Sequence, residues 1–181
     1  MGHPFFTVGH SDRSIEEFLD LLLAARIELV VDVRKLPGSA RYPQFNEDAL
    51  AASLGESGID FRRAPGLAGR RPVSKTVPKE VNAWWQNRSF HNYADHTLSE
   101  EFREALRDLR REGREQRLAV MCAEAVWWRC HRRIIADNLI AQGEEVLHVM
   151  GPSRLEPASL SEGAKVQPDH SVRYPSQPAD R

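Results

Sequence analysis

Short apolar runs alternate with amphipathic stretches along most of this chain. Phe5 to Val8 is apolar and β-compatible, and it ends at the polar turn Gly9-His10-Ser11. Ser14 and Glu17 form a capping box, and Ile15, Phe18, Leu19, Leu22 and Leu23 recur at helical spacing, which predicts a helix from about Ser14 to Ala25. Leu29 to Val33 is too short for a helix and too apolar for a strand with one wet face, so it predicts a strand buried on both faces. Asn46 suits the cap of a helix running to about Leu54, and Ile59 to Arg62 suits a third strand. Thr97 and Glu100 read as a second capping box, opening a long helix to about Gln116 with Phe102, Ala105, Leu106 and Leu109 on its apolar side. The other side alternates Glu and Arg, the pattern of a solvated, ion-paired face. Leu118 to Met121 is the next buried strand. A helix from about Cys130 to Gln142, stopped by Gly143, leads into a last strand from Val146 to Met150.

Strands that alternate with helices, without a tight two-residue hairpin signal, predict the α/β class. The expectation is a single three-layer domain over residues 1–150, with a mostly parallel sheet of about five strands and helices on both faces. Residues 151–181 carry Pro, Ser and charge without periodicity and read as a tail, draped or disordered.

Composition narrows the class. A chain of 181 residues, 41% hydrophobic, is long enough to bury a core without staples, and its two cysteines exclude a disulfide scaffold. The start lacks a basic segment followed by an apolar run, and no apolar stretch approaches the roughly 18 residues that span a bilayer. The expectation is a cytoplasmic protein with no membrane partner. The net charge of −1 conceals segregation, because residues 62–88 carry +6 and the rest −7. With Trp84 and Trp85, that basic segment combines the positive charge and stacking surface that a nucleic-acid strand requires. Tryptophan pairs also serve as core.

In an open parallel sheet, ligands bind beyond the carboxyl ends of the strands. Those positions hold His10 and Ser11, Asp32 and Arg34, Arg62 and Arg63, and Cys122 and Glu124. The first, second and fourth sets are expected in one crevice with the amino end of the helix that starts near Cys130. The free N–H groups there, with Arg129, His131, Arg132 and Arg133, favour an anion. Both cysteines flank one loop, where they suit a redox pair, a nucleophile and its resolver, or zinc ligands with His131 and either His10 or Glu124. Cys122 also suits a small buried apolar position. Glu124 is expected as general base or nucleophile, oriented by Arg34 or Arg132, unless it is simply ion-paired. Asp32, inside an apolar run, requires a partner from Arg34, Arg132 or a turn. Arg41, Tyr42, Gln44 and Phe45 either form a lid over a planar substrate or pack the next helix. The catalytic candidates are therefore Glu124, Cys122, His10 and His131, and the anion-binding candidates Ser11, Arg34, Arg41, Tyr42, Cys130 and Arg132. No cofactor is expected, with zinc as the alternative.

Gly9-His10-Ser11, then Asp32-Val33-Arg34 with Pro37 and Ser39, then Cys122-Ala123-Glu124 with Cys130-His131-Arg132, resemble the family called domain of unknown function 488 over about residues 5–150. The Cys-Ala-Glu and Cys-His-Arg pair is the specific element. The resemblance implies a small α/β domain and no particular activity. A looser resemblance is to rhodanese-type sulfurtransferases, in which a strand ending Asp-x-Arg precedes one that delivers a cysteine to a helix start. It implies Cys122 as a persulfide-carrying or phosphate-attacking thiolate. Glu124, Trp127 and Trp128 depart from that pattern, and Arg129 lies one residue beyond the Cys-x5-Arg spacing of cysteine phosphatases. The leading expectation is an enzyme, a hydrolase or transferase, acting on a phosphorylated or nucleotide-like small molecule. The alternatives are a nucleic-acid-binding module using residues 62–88 and a sulfurtransferase using Cys122.

Overall fold

The computed structural model describes residues 2–38 and 40–176; residue 1, Ser39 of the family motif and the last part of the tail, residues 177–181, lie outside the described residues. Six strands form the main sheet: β1 (Phe5–Gly9), β2 (Leu29–Asp32), β3 (Asp60–Arg63), β4 (Leu118–Cys122), β5 (Val146–Gly151) and β6 (Arg154–Pro157). Their order is β3-β2-β4-β1-β5-β6, with the first five parallel and β6 antiparallel at the edge.

The pleat divides the apolar strand residues between two layers of helices. Phe5, Leu29, Val31, Val33, Leu118, Val120 and Cys122 face the layer containing α3 (Arg88–His96), α4 (Glu100–Glu115) and α5 (Arg132–Ala141). Phe6, Val8, Val30, Ala119 and Met121 face α1 (Ile15–Ala24) and α2 (Glu47–Glu56). The result is a three-layer α/β domain with a mostly parallel sheet, as the alternating pattern predicts.

Three local expectations are corrected. The cap of α4 is Ser99, whose hydroxyl accepts from the Phe102 N–H at 3.2 Å, and not Thr97. Thr97 instead closes α3, donating to the Ala94 carbonyl at 2.7 Å. The chain must turn between two helices here, and α3 itself escapes an apolar periodicity because part of its inner face is polar. Asn92 donates to the Arg71 carbonyl at 3.2 Å, and Asp95 accepts from Asn82 at 2.7 Å. Finally, β5 and β6 form a hairpin through Pro152-Ser153, which lacks the Asn-Gly type of signal that marks tight turns.

Beyond β6 the chain packs on the α5 layer. β7 (Lys165–Val166) and β8 (Val172–Arg173) make a small antiparallel ribbon, and Val172 and Tyr174 are fully buried. The Tyr174 hydroxyl donates to Asp137 at 2.7 Å, and the Ser161 N–H donates to the same carboxylate at 2.9 Å.

Candidate functional site

β2, β4 and β1 are neighbours, so their carboxyl ends deliver Asp32 to Arg34, Cys122, and Gly9 to Ser11 to one end of the sheet. The loop after β4 folds across these ends. The His10 N–H donates to the Cys122 carbonyl and the Ser11 N–H to the Ala123 carbonyl, both at 3.0 Å. Gly9 permits this approach, since a Cβ there would lie 1.7 Å from the Glu124 carbonyl oxygen. The pleat then separates the candidate side chains into two sets.

On the α1/α2 side, Arg34 grips Asp32 with two hydrogen bonds, Nε to Oδ1 at 2.9 Å and Nη2 to Oδ2 at 2.8 Å. Its Nη1 donates to the Phe45 carbonyl at 2.7 Å and lies 3.4 Å from His10 Nε2. His10 Nδ1 donates to the Ser11 carbonyl at 2.8 Å, which leaves Nε2 as the acceptor facing Arg34. Burial, followed by Arg34, lowers the His10 pKa to about 4, so the ring is neutral at pH 7. It stacks on Phe45 with centroids 4.3 Å apart. Arg34 is thus committed to Asp32 and to this packing. Ser11, in a left-handed conformation at φ 54, donates to Asp12 at 3.3 Å.

The α5 side holds the two sulfurs and Arg132. Arg132 is 0% exposed. Its Nη1 donates to Cys122 Sγ at 2.7 Å and to the Glu124 carbonyl at 2.6 Å, and its Nη2 to the Ala125 carbonyl at 3.1 Å. Its Nε donates to Thr7 Oγ1 at 3.2 Å, so the Thr7 hydroxyl proton points to His148 Nδ1, 2.6 Å away. His148 is buried, stacks on Trp127 at 4.8 Å, and has its pKa lowered to about 4 by burial and then by Arg132. It is neutral at pH 7 and compensates none of the guanidinium charge. No carboxylate pairs with Arg132 among the described residues. A buried cation without a counter-charge is costly, and the group in contact with Arg132 that can become an anion is Cys122.

Cys130 Sγ lies 2.7 Å from Cys122 Sγ and donates to it. Burial pushes the Cys122 thiol up, but the Cys130 hydrogen bond and the charge and hydrogen bond of Arg132 outweigh it and bring the pKa down to about 7. Burial and the neighbouring sulfur push Cys130 well up instead. The pair therefore ionises unequally, as one thiolate and one thiol. The Arg132 N–H at the start of α5 donates to Cys130 Sγ at 3.4 Å. His131 Nδ1 is 3.6 Å from the same sulfur. Burial lowers the His131 pKa to about 4, and its Nε2 has no hydrogen-bond partner among the described residues. Gly69 makes room for that ring, since a Cβ there would lie 2.8 Å from Nδ1.

Both sulfurs and His131 line a cleft of about 310 Å³, walled by Phe90 and Tyr93 and by Lys35, Arg70, Arg129 and Glu124. Lys35, Arg70 and Arg129 form no ion pair among the described residues. A second cleft of about 470 Å³, bordered by His10, Ser11 and Tyr42, shares Arg34, Leu36, Ala123 and Glu124 with the first. Glu124 is exposed between the two. Tyr42 packs on the α1/α2 core, with the Arg41 guanidinium 5.3 Å over its ring. The basic segment is partly committed elsewhere: Arg62 pairs with Glu112, and Arg71 with Glu101 at 3.3 Å. Trp85 is core, and Trp84 covers Gly163. Among the described residues no group of three or more His, Cys, Asp or Glu side chains is placed to hold a metal ion, and no helix is long and apolar enough to cross a membrane.

The family model described as domain of unknown function DUF488 matches residues 14–139. The chain belongs to this family. No curated protein and no solved structure matches it. The DUF488 match runs from the cap of α1 to near the end of α5 and takes in Asp32, Arg34, Cys122, Cys130 and Arg132. Thr7, Gly9 and His10 precede it and His148 follows it. Of the residues that shape this candidate site, sequence reasoning passed over Thr7, His148, Lys35, Gly69, Phe90 and Tyr93. The first two carried a signal: a polar side chain inside a strand that reads as buried on both faces must find a bond, and Thr7 and His148 are register partners across β1 and β5.

Proposed function

We propose that this DUF488 domain is a thiol-dependent enzyme that acts on a small anionic substrate, with Cys122 as the nucleophile. One observation carries the reading. Arg132 is fully buried with no carboxylate partner and donates to Cys122 Sγ at 2.7 Å. An arginine so placed stabilises a thiolate near neutral pH, and the thiolate is the reactive form of cysteine. The guanidinium also sets a cation against that sulfur, which favours nucleophile over metal ligand. Lys35, Arg70 and Arg129, with Arg34 also lining the cleft, supply the attraction for a phosphate, carboxylate or similar group, the role that Arg132 cannot take while held inside the fold. Glu124 is the carboxylate that lines the same cleft, in position to exchange protons with a bound substrate. The commitment of Trp85 to the core and of Arg62 and Arg71 to ion pairs favours this reading over a nucleic-acid surface on residues 62–88.

Alkylation of the full chain tests it. Modification of Cys122 by iodoacetate and by iodoacetamide, followed on its own peptide by mass spectrometry, is expected to be half-maximal near pH 7. The anionic reagent is expected to be favoured several-fold over its ratio on a free thiol, and the Arg70→Glu, Arg129→Glu double variant to lose that preference. A midpoint in the ordinary thiol range, or no charge preference, overturns the proposal. Incubation with thiosulfate, read as one sulfur added to Cys122, tests whether the anion is a sulfur donor.

A further inference from the structure

We infer that Cys130 resolves adducts formed on Cys122, and that the domain carries out thiol–disulfide exchange with small, negatively charged disulfides. This rests on the reading of Cys122 as the nucleophile and adds the second sulfur, a redox outcome and a substrate class. The two sulfurs are 2.7 Å apart on the floor of one cleft. A disulfide bond is about 2.05 Å long, so closure requires a displacement of well under an ångström. The chain holds no other cysteine, so the pairing is unique. Arg132 also bonds to the Glu124 and Ala125 carbonyls and to Thr7, contacts that do not involve the sulfurs and that hold the surrounding loop. A mixed disulfide on Cys122 lies within reach of Cys130, which shortens the life of that intermediate and turns the chemistry toward reduction of the substrate.

The exchange balances in two steps. The Cys122 thiolate attacks a substrate disulfide R–S–S–R; the new Cys122–S–S–R bond forms and RS⁻ departs. Cys130 Sγ then attacks the Cys122 sulfur, the bond to the second SR group breaks, and the Cys130 proton ends on that departing thiolate as RSH. The dithiol loses two electrons and the substrate gains them. His131 Nδ1, 3.6 Å from Cys130 Sγ, is placed to relay that proton. Lys35, Arg70 and Arg129 around the cleft select a negatively charged R and stabilise the departing RS⁻.

The full-length reduced protein is treated with excess glutathione disulfide, which is anionic, or with cystamine, which is dicationic, and is read by intact mass and peptide mapping. The expected result is loss of two hydrogens with a Cys122–Cys130 disulfide in the native chain, and a persistent mixed disulfide on Cys122 in Cys130→Ser and in Cys130→Ala. Relative to a free thiol, glutathione disulfide is expected to react roughly tenfold faster than cystamine at low salt, with the gap narrowing as salt rises. A native chain that keeps a mixed disulfide on Cys122 overturns the resolving role and leaves the nucleophile in place. Equal rates for the two disulfides overturn the substrate class. A folded protein in which Cys122 reacts with neither disulfide nor iodoacetate overturns both this inference and the function on which it rests.

Discussion

Replacing Arg132 by methionine removes the cation beside Cys122 while keeping much of the side chain's volume. Arg132 Nη1 lies 2.7 Å from Cys122 Sγ, and its charge and hydrogen bond help hold that thiol at about 7 against an ordinary value of 9.0. In Arg132→Met, burial is opposed only by the Cys130 hydrogen bond and the backbone hydrogen bond at Glu124, so the thiol is expected to return to about its ordinary value. At pH 7 the ionised fraction then falls from about one half to about one in a hundred, ~50-fold. A thiolate of higher pKa is intrinsically more nucleophilic, by ~8-fold over two pH units at a Brønsted slope of about 0.45. Alkylation of Cys122 is therefore expected to be roughly six-fold slower at pH 7 and roughly seven-fold faster at pH 10, where both proteins are largely ionised. The assay follows iodoacetamide modification of the Cys122 peptide across that range, with near-ultraviolet circular dichroism as the check on packing. Thr7→Val, which keeps the Arg132 charge and removes its Nε acceptor together with the donor to His148, is a milder companion and should move the midpoint less. A folded Arg132→Met protein with its midpoint still near 7 and no crossover would refute the assignment of Arg132 as the counter-cation.

Acid should destabilise the fold through its histidines. His10, His131 and His148 each have a pKa lowered from 6.5 to about 4, with burial the leading cause. The folded state then binds fewer protons than the unfolded state between those values, so the stability is whole above about pH 6.5 and is lost as pH falls toward 4. These three rings contribute a slope of up to three protons, ~4 kcal/mol per pH unit, to urea titrations at successive pH values. His96, also lowered by burial, adds to that slope and the raised carboxyls of Asp95 and Asp137 offset it; a net slope below one proton contradicts the burial of these rings. Gly9→Ala forces the Glu124 carbonyl away from a Cβ that would lie 1.7 Å from it and disturbs the bond it accepts from Arg132. It should cost about 3 kcal/mol or more in urea unfolding and shift the Cys122 midpoint upward. Gly55→Ala in α2, with nothing within 4 Å of the new Cβ, should be neutral or stabilising by up to ~1 kcal/mol, and a comparable loss at both sites would show that the close approach is not the cause. Tyr174→Phe removes the buried donor to Asp137 and should cost ~1–3 kcal/mol; no loss would mean that residues around Tyr174 do not anchor to α5.

Much of this architecture is legible along the chain because helix and strand periodicities are local. The β-branched run at Leu29–Val33 and the stripe from Ile15 to Leu23 each depend on neighbours within a turn or two, and both elements form where their patterns place them. What is not written locally is less legible. α3 buries Asn92 and Asp95 through hydrogen bonds to distant partners, so an apolar pattern cannot reveal its inner face. The edge strand β6 comes from a segment without periodicity and gains its pairing only beside β5.

By itself, the sequence determined that two cysteines flank one loop at the end of a buried strand, that a carboxylate at Asp32 needed a partner, and that arginines gather at the start of the following helix. It did not determine which arginine serves which group. Arg34 neutralises Asp32 on one side of the sheet, whereas Arg132 has no carboxylate and turns to Cys122 on the other. That division follows from the alternation of side chains across the pleat and from a strand order that places β4 between β2 and β1. Thr7 and Arg132, separated by 125 positions, meet because β1 lies beside β4. Local spacing selects the elements, but the counter-charge of a buried group depends on which elements are adjacent, and adjacency is settled only when the sheet is assembled.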